Sequence, residues 1–114
     1  MRLRMSALSS AESILRAVRA IPPGQVVGYG EVARRAGLPG RARLVARVLA
    51  HNGDPELPWH RVMRSDGRIA FAPGSRAFRE QARRLRAEGV AVRAGKVQVS
   101  RPAQNLDEAL WRMQ

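Results

Sequence analysis

Residues 30–51 carry the pattern that most narrows what this chain can fold into. Two short helical segments, about Gly30 to Ala36 and Arg41 to His51, flank the breaker Gly37-Leu38-Pro39-Gly40. Gly37 suits the left-handed backbone of a helix C-cap, and Leu-Pro-Gly makes a turn. Two short helices across a glycine-containing turn are the layout of a helix-turn-helix, although a plain helical hairpin has the same outline. The second helix carries the discriminating detail. Leu44, Val45, Val48 and Leu49 recur at helical spacing as an apolar stripe, which leaves Arg41, Arg43 and Arg47 on the remaining surface. No Asp or Glu lies between residues 32 and 53 to neutralise them. The start of that helix adds free amides and the positive end of a helix dipole, both favourable to backbone phosphate.

The flanking segments are organised around this unit. Ser9 to Glu12 reads as a capping box, and Ile14, Leu15, Val18 and Ile21 continue it as a helix from about Ser10 to Ala20 that Pro22-Pro23-Gly24 stops. Gln25-Val26-Val27 is a short extended lead-in. After the loop His51-Asn52-Gly53-Asp54-Pro55, the residues Arg64-Ser65-Asp66-Gly67-Arg68 form a tight turn between two short extended pieces. Phe71-Ala72-Pro73-Gly74 follows as a lid-like loop. A further helix spans about Ser75 to Ala87, with Phe78, Ala82 and Leu85 inward, Gly89 as its cap, and Arg76, Arg79, Arg83, Arg84 and Arg86 on its other sides. Val90, Val92, Val97 and Val99 alternate around a turn at Ala94-Gly95, a hairpin placed like the wing of a winged helix. Asn105 to Glu108 reads as the cap of a short terminal helix through Leu110 and Trp111. The expected fold is a single domain over 1–114, mainly α with a small β component, of winged helix-turn-helix type, its core at about 10–90 and the hairpin and terminal helix at 90–112.

Charge points to the partner. Lys+Arg number 21 against 9 Asp+Glu, a net +12, with Lys96 the sole lysine. Such self-repulsion is relieved by a polyanion, and nucleic acid is the leading choice. An arginine-rich genome accounts for Arg over Lys but not for the shortage of acids. A membrane surface is the rival polyanion, and no long apolar run or lipidation signal supports it. The chain has no cysteine, which excludes disulfides, thiolate metal sites and cysteine nucleophiles together; no metal or cofactor is expected. The opening Met1-Arg2-Leu3-Arg4-Met5-Ser6 is too short and too charged for a secretory signal, so a cytoplasmic protein, associated with the nucleoid through DNA, is expected.

Pro58-Trp59-His60-Arg61-Val62 resembles the active-site run of the O6-alkylguanine-DNA alkyltransferases, Pro-Cys-His-Arg-Val, with tryptophan where the family has its cysteine. Upstream, Val26-Val27-Gly28-Tyr29-Gly30-Glu31-Val32-Ala33, then Gly37-Leu38-Pro39 and Arg41-Ala42-Arg43-Leu44-Val45-Ala46, are similar in order and spacing to that family's helix-turn-helix. The resemblance covers roughly residues 10 to 90. A thiolate displaces an alkyl group from guanine; an indole does not. The chain therefore resembles the alkyltransferase-like proteins, which keep the C-terminal DNA-binding fold of the transferases and have lost the transfer chemistry.

The resemblance implies a set of roles. Tyr29 would press on the phosphate 3′ of the target nucleotide, and Arg43 would intrude from the minor groove into the place of an extruded base, with Gly30, Arg41, Ala42, Arg47 and Ser65 completing the DNA-binding surface. The lesion pocket would be formed by Tyr29, Asn52, Pro58, Trp59, His60 and Val62. Trp59 would wall it, packing against the alkyl group, while His60, with no thiol to activate, would serve as a hydrogen-bonding scaffold and Arg61 would tie neighbouring backbone together. An arginine that helps some relatives discriminate among adducts aligns with Ala72 here, with Arg68 as the alternative cation. The implied function is non-enzymatic: a monomer that binds O6-alkylguanine in double-stranded DNA, flips the base and flags the site for UvrA-like nucleotide excision repair proteins.

Two other classes compete. A winged-helix transcription regulator would use the same helix in the major groove and bind undamaged sequence, yet no long dimerisation helix is evident. A glycosylase would need an activating carboxylate, and Glu31, Asp54 and Asp66 lie in no motif that places one at the pocket.

Overall fold

The computed structural model describes residues 8–98. Helix α1 spans Ser10–Arg19 and opens with the expected reciprocal cap: the Glu12 amide donates to the Ser9 hydroxyl and the Ser9 amide to the Glu12 carboxylate, each at 3.0 Å. A two-residue strand β1 (Val27–Gly28) leads into α2 (Tyr29–Arg35), and α3 follows at Ala42–Ala50. Gly37 ends α2 with φ +81°, as the turn requires. A single 3₁₀ turn at Trp59–Arg61 precedes β2 (Val62–Met63), then come α4 (Arg76–Ala87), β3 (Val92–Arg93) and β4 (Lys96–Val97). The terminal helix expected near Asn105 lies outside the described residues.

Strand β2 joins two cores. It pairs in parallel with β1, Val27 opposite Val62 and Gly28 opposite Met63. Successive strand residues face opposite sides, so Val62 enters a first core with Ile14, Val18, Ile21, Val32 and Val45. Met63 enters a second with Ile69, Ala82, Leu85 and Val92. The helix-turn-helix rests on the first core and α4 with the hairpin on the second. The hairpin turns as expected through Ala94 (φ +50°) and Gly95 (φ +77°), and β4 also bridges back to Arg68. A Cβ on Gly95 would lie 2.7 Å from the Phe78 ring, so backbone and ring approach there only because glycine has no side chain.

One inward residue of α4 is polar. Gln81 is 1% exposed, and its amide donates to the carbonyls of His60 (2.9 Å) and Val62 (3.0 Å). Both donors of the buried amide are thus satisfied and dock α4 onto the 3₁₀ turn, while its buried Oε1 has no partner among the described residues.

Candidate nucleic-acid interface and base pocket

Arg41, Arg43 and Arg47 are exposed on α3, and none has an ion-pair partner among the described residues. On the neighbouring α2, by contrast, Arg34 and Arg35 both close on Glu31, at 2.5 and 3.0 Å, and hold its carboxyl down to about 2. The α3 charges therefore face solvent unneutralised. Arg41, at the N-cap, provides no side-chain cap, so the first amides of the helix are open to solvent or to an external anion. Gly30 is exposed on the first turn of α2 and Ala42 is half-buried at the start of α3. Ser65 is exposed on the turn after β2, so close to Gly28 that a Cβ there would come within 3.2 Å of its Cα.

Beside α3 opens a cavity of about 620 Å³, within the roughly 300–1,000 Å³ usual for small-molecule sites. Ala46, Leu49 and Ala50 of α3 form one wall, the loop Asn52–Pro55 another, and Tyr29 comes from the start of α2. Trp59 and Phe71 meet edge to face, ring centroids 6.0 Å apart at 85°, and the small Ala70 and Ala77 leave the remaining space open. Burial pushes the Tyr29 phenol up, so it stays a neutral donor. The Asn52 amide donates to the Asp54 carbonyl at 3.3 Å.

Asp54 is the one carboxylate at the cavity, contrary to the expectation that none is placed there. It is committed elsewhere: one oxygen accepts from the Glu56 amide (2.9 Å) and the other from Arg19 (3.3 Å). An Asx turn fixed by these bonds explains its position. With that group engaged and no cysteine in the chain, the cavity offers flat apolar area and hydrogen bonds but no thiolate to accept an alkyl group.

Tyr29, Asn52 and Trp59 thus share one cavity; Pro58, His60 and Val62 do not line it. A 3₁₀ turn sends consecutive side chains in different directions. Pro58 is half-buried at its N-cap, and Val62 is 1% exposed in the first core. His60 turns away to Glu88, Nε2 to carboxylate at 2.9 Å, with its Nδ1 buried and unpartnered. Arg61 grips the same carboxylate (2.5 Å) and donates to the Ile21 carbonyl (2.8 Å), and the Gly24 amide also donates to Glu88. This network fastens the Trp59 turn to the end of α4 and to the α1–β1 connection. Arg68, the alternative to Ala72, pairs with Asp66 at 3.4 Å and does not line the cavity, and Ala72 is exposed beyond the lining.

Two contacts of Trp59 escaped the sequence. The Arg84 guanidinium lies 5.5 Å from the centre of the Trp59 ring, and Phe71 meets that ring edge-on. Both depend on tertiary approach; the recurrence of alanine at 46, 50 and 77 was the available sign of a space left open.

The fold is that of a DNA-binding helix-turn-helix domain with an aromatic-walled cavity beside its second helix. Residues 9–90 match the family described as "6-O-methylguanine DNA methyltransferase, DNA binding domain", and the chain belongs to that family. It is 37% identical over 97 residues to Alkyltransferase-like protein 1 of Schizosaccharomyces pombe, covering 84% of this chain and 88% of that protein. It is 41% identical over 85 residues to the DNA base-flipping protein of Escherichia coli, covering 74% and 64%. Among solved structures it superposes on S. pombe Atl1 in complex with damaged DNA containing O6-carboxymethylguanine, with TM-score 0.70 and 34% identity over 86% of this chain and 93% of that one. It also superposes on the Mycobacterium tuberculosis O6-methylguanine methyltransferase, with TM-score 0.61 and 30% identity, but there it covers only 51% of that chain.

Proposed function

We propose that this protein recognises O6-alkylguanine in duplex DNA without repairing it, holding the extruded base in the Tyr29–Asn52–Trp59 cavity. The observation that carries this reading is the pairing of an aromatic-walled cavity, in a chain with no cysteine, with the unneutralised arginines of α3. Docking through the minor groove lets Arg43 enter the stack and occupy the gap left by the base, since a long planar cation can both stack and hydrogen-bond the orphaned partner. Tyr29 steers the adjacent phosphate, and Trp59 lends area to the alkyl group. Bound as a monomer inside the cell, the protein marks the site for nucleotide excision repair proteins, which complete what it does not.

Equilibrium binding to two short duplexes that differ in one O6-methylguanine tests this, with the recovered DNA then assayed for the intact adduct. Tighter binding with the methyl group still in place is expected. Equal binding would favour a winged-helix regulator of undamaged DNA, and a lost methyl group or base would make the protein an enzyme.

A further inference from the structure

A second cavity adjoins the first. It measures about 540 Å³ and is lined by Trp59, Arg76, Ala77, Glu80 and Arg84. Trp59 and Ala77 are the residues that line both cavities, so the indole and one methyl group stand between them. Their chemistry differs: the first is largely apolar, while the second carries two guanidinium groups and a carboxylate. Glu80 accepts from Arg84 at 2.6 Å and also from Arg83 at 2.6 Å, so this one carboxylate is shared between two guanidinium groups and offsets only part of the positive charge around the cavity. Those same two partners hold its carboxyl at about 2. Arg76 is exposed and has no ion-pair partner among the described residues. Arg84 sits 5.5 Å from the Trp59 ring centre, so a positive charge lies just past the aromatic wall.

We propose that this second cavity is a chamber for the outer part of long O6-alkyl groups, and that Arg76 and Arg84 make it prefer tails ending in an anion. The inference rests on the reading that guanine occupies the first cavity. A methyl group stops short of the indole; a longer chain reaches past Trp59 and the small Ala77, the two residues shared by both linings, and brings its end among the guanidinium groups. The preference is modest because Arg76 is solvated and screened.

The test is equilibrium binding at physiological ionic strength to four otherwise identical duplexes. One is undamaged; the others carry O6-methylguanine, O6-(4-carboxybutyl)guanine, or the primary amide of that acid, which is equal in length and neutral. The acid is expected to bind about fivefold tighter than the amide, the scale of one exposed ion pair. The ratio is expected to invert in Arg76→Glu and to approach unity in Arg76→Gln/Arg84→Gln. Each ratio is internal to one protein, so a general loss of DNA affinity in a variant does not affect it. A preference for methylguanine over guanine combined with an acid-to-amide ratio of one overturns the chamber alone. Equal binding of the methylated and undamaged duplexes overturns the base-pocket reading and the chamber with it. If Arg76→Glu weakens every duplex alike and keeps the wild-type ratio, Arg76 is a backbone-phosphate contact and the chamber is again overturned.

Discussion

Arg43 and Trp59 divide the proposed work between them, one entering the duplex and the other receiving what leaves it. Arg43→Ala is expected to weaken binding to an O6-methylguanine duplex by about 2 kcal/mol, roughly thirtyfold in Kd, read by fluorescence anisotropy; unchanged affinity would remove the intruding role. Trp59→Cys restores a thiol to the chain but not a transferase. His60 Nε2 is engaged by Glu88, and loss of the indole removes the partner of Phe71 and Arg84. No methyl group is expected on that variant after incubation with labelled DNA, and mass spectrometry of the protein would detect one. Individual site residues were legible where their neighbours in sequence are also neighbours at the site, as with Tyr29 on α2. They were not where one 3₁₀ turn scatters a contiguous motif. His60 and Val62 follow Trp59 in the chain, yet one faces a carboxylate and the other a core.

The elements show the same division between local and distant causes. Helices α1 to α3 follow from apolar spacing, a capping box and a glycine cap, all signals carried within a few residues. The parallel pairing of β1 with β2, the burial of Gln81 and the Glu88 network join residues nineteen or more positions apart or bury polar groups, and no local pattern announces them. Glu88 has a side chain only 17% exposed, and the Arg61 guanidinium first, then His60 and the Gly24 amide, hold its carboxyl at about 2 against an ordinary 4.5. A folded-state value below the unfolded one means that the stabilisation is full above the unfolded value and is lost as pH falls from about 4.5 towards 2. Glu88→Gln is expected to cost about 2 kcal/mol at neutral pH and to flatten this part of the stability profile. Urea unfolding at a series of pH values checks both effects. Glu31 and Glu80, similarly depressed by their arginine pairs, are present in both proteins and cancel in the comparison.

At the scale of the whole molecule, cations outnumber acids on most elements, and α3 is a helix whose arginines have no ion-pair partner among the described residues. Glu31, Asp54, Asp66, Glu80 and Glu88 each neutralise nearby arginines, while Arg41, Arg43 and Arg47 keep their full charge on one helix. Three phosphates neutralised there give a slope of about −3 in log K against log salt, and Arg47→Gln is expected to reduce it by about 1. Titrations of undamaged duplex across salt concentrations measure this, and a flat response would sever the link between net charge and partner. That link was legible from composition alone; the position of the cavity relative to the charged helix was not, because it needs both cores assembled around β2. The Glu88 fastening has one more consequence. It sets the Trp59 wall in place before anything arrives, so little conformational entropy of the protein is lost on binding. The principal cost on the proposed reading then falls on the DNA, as a base leaves its stack and its pairing partner. A guanine whose pairing is already weakened by alkylation gives these up more cheaply, and discrimination begins in the duplex before the base reaches the protein.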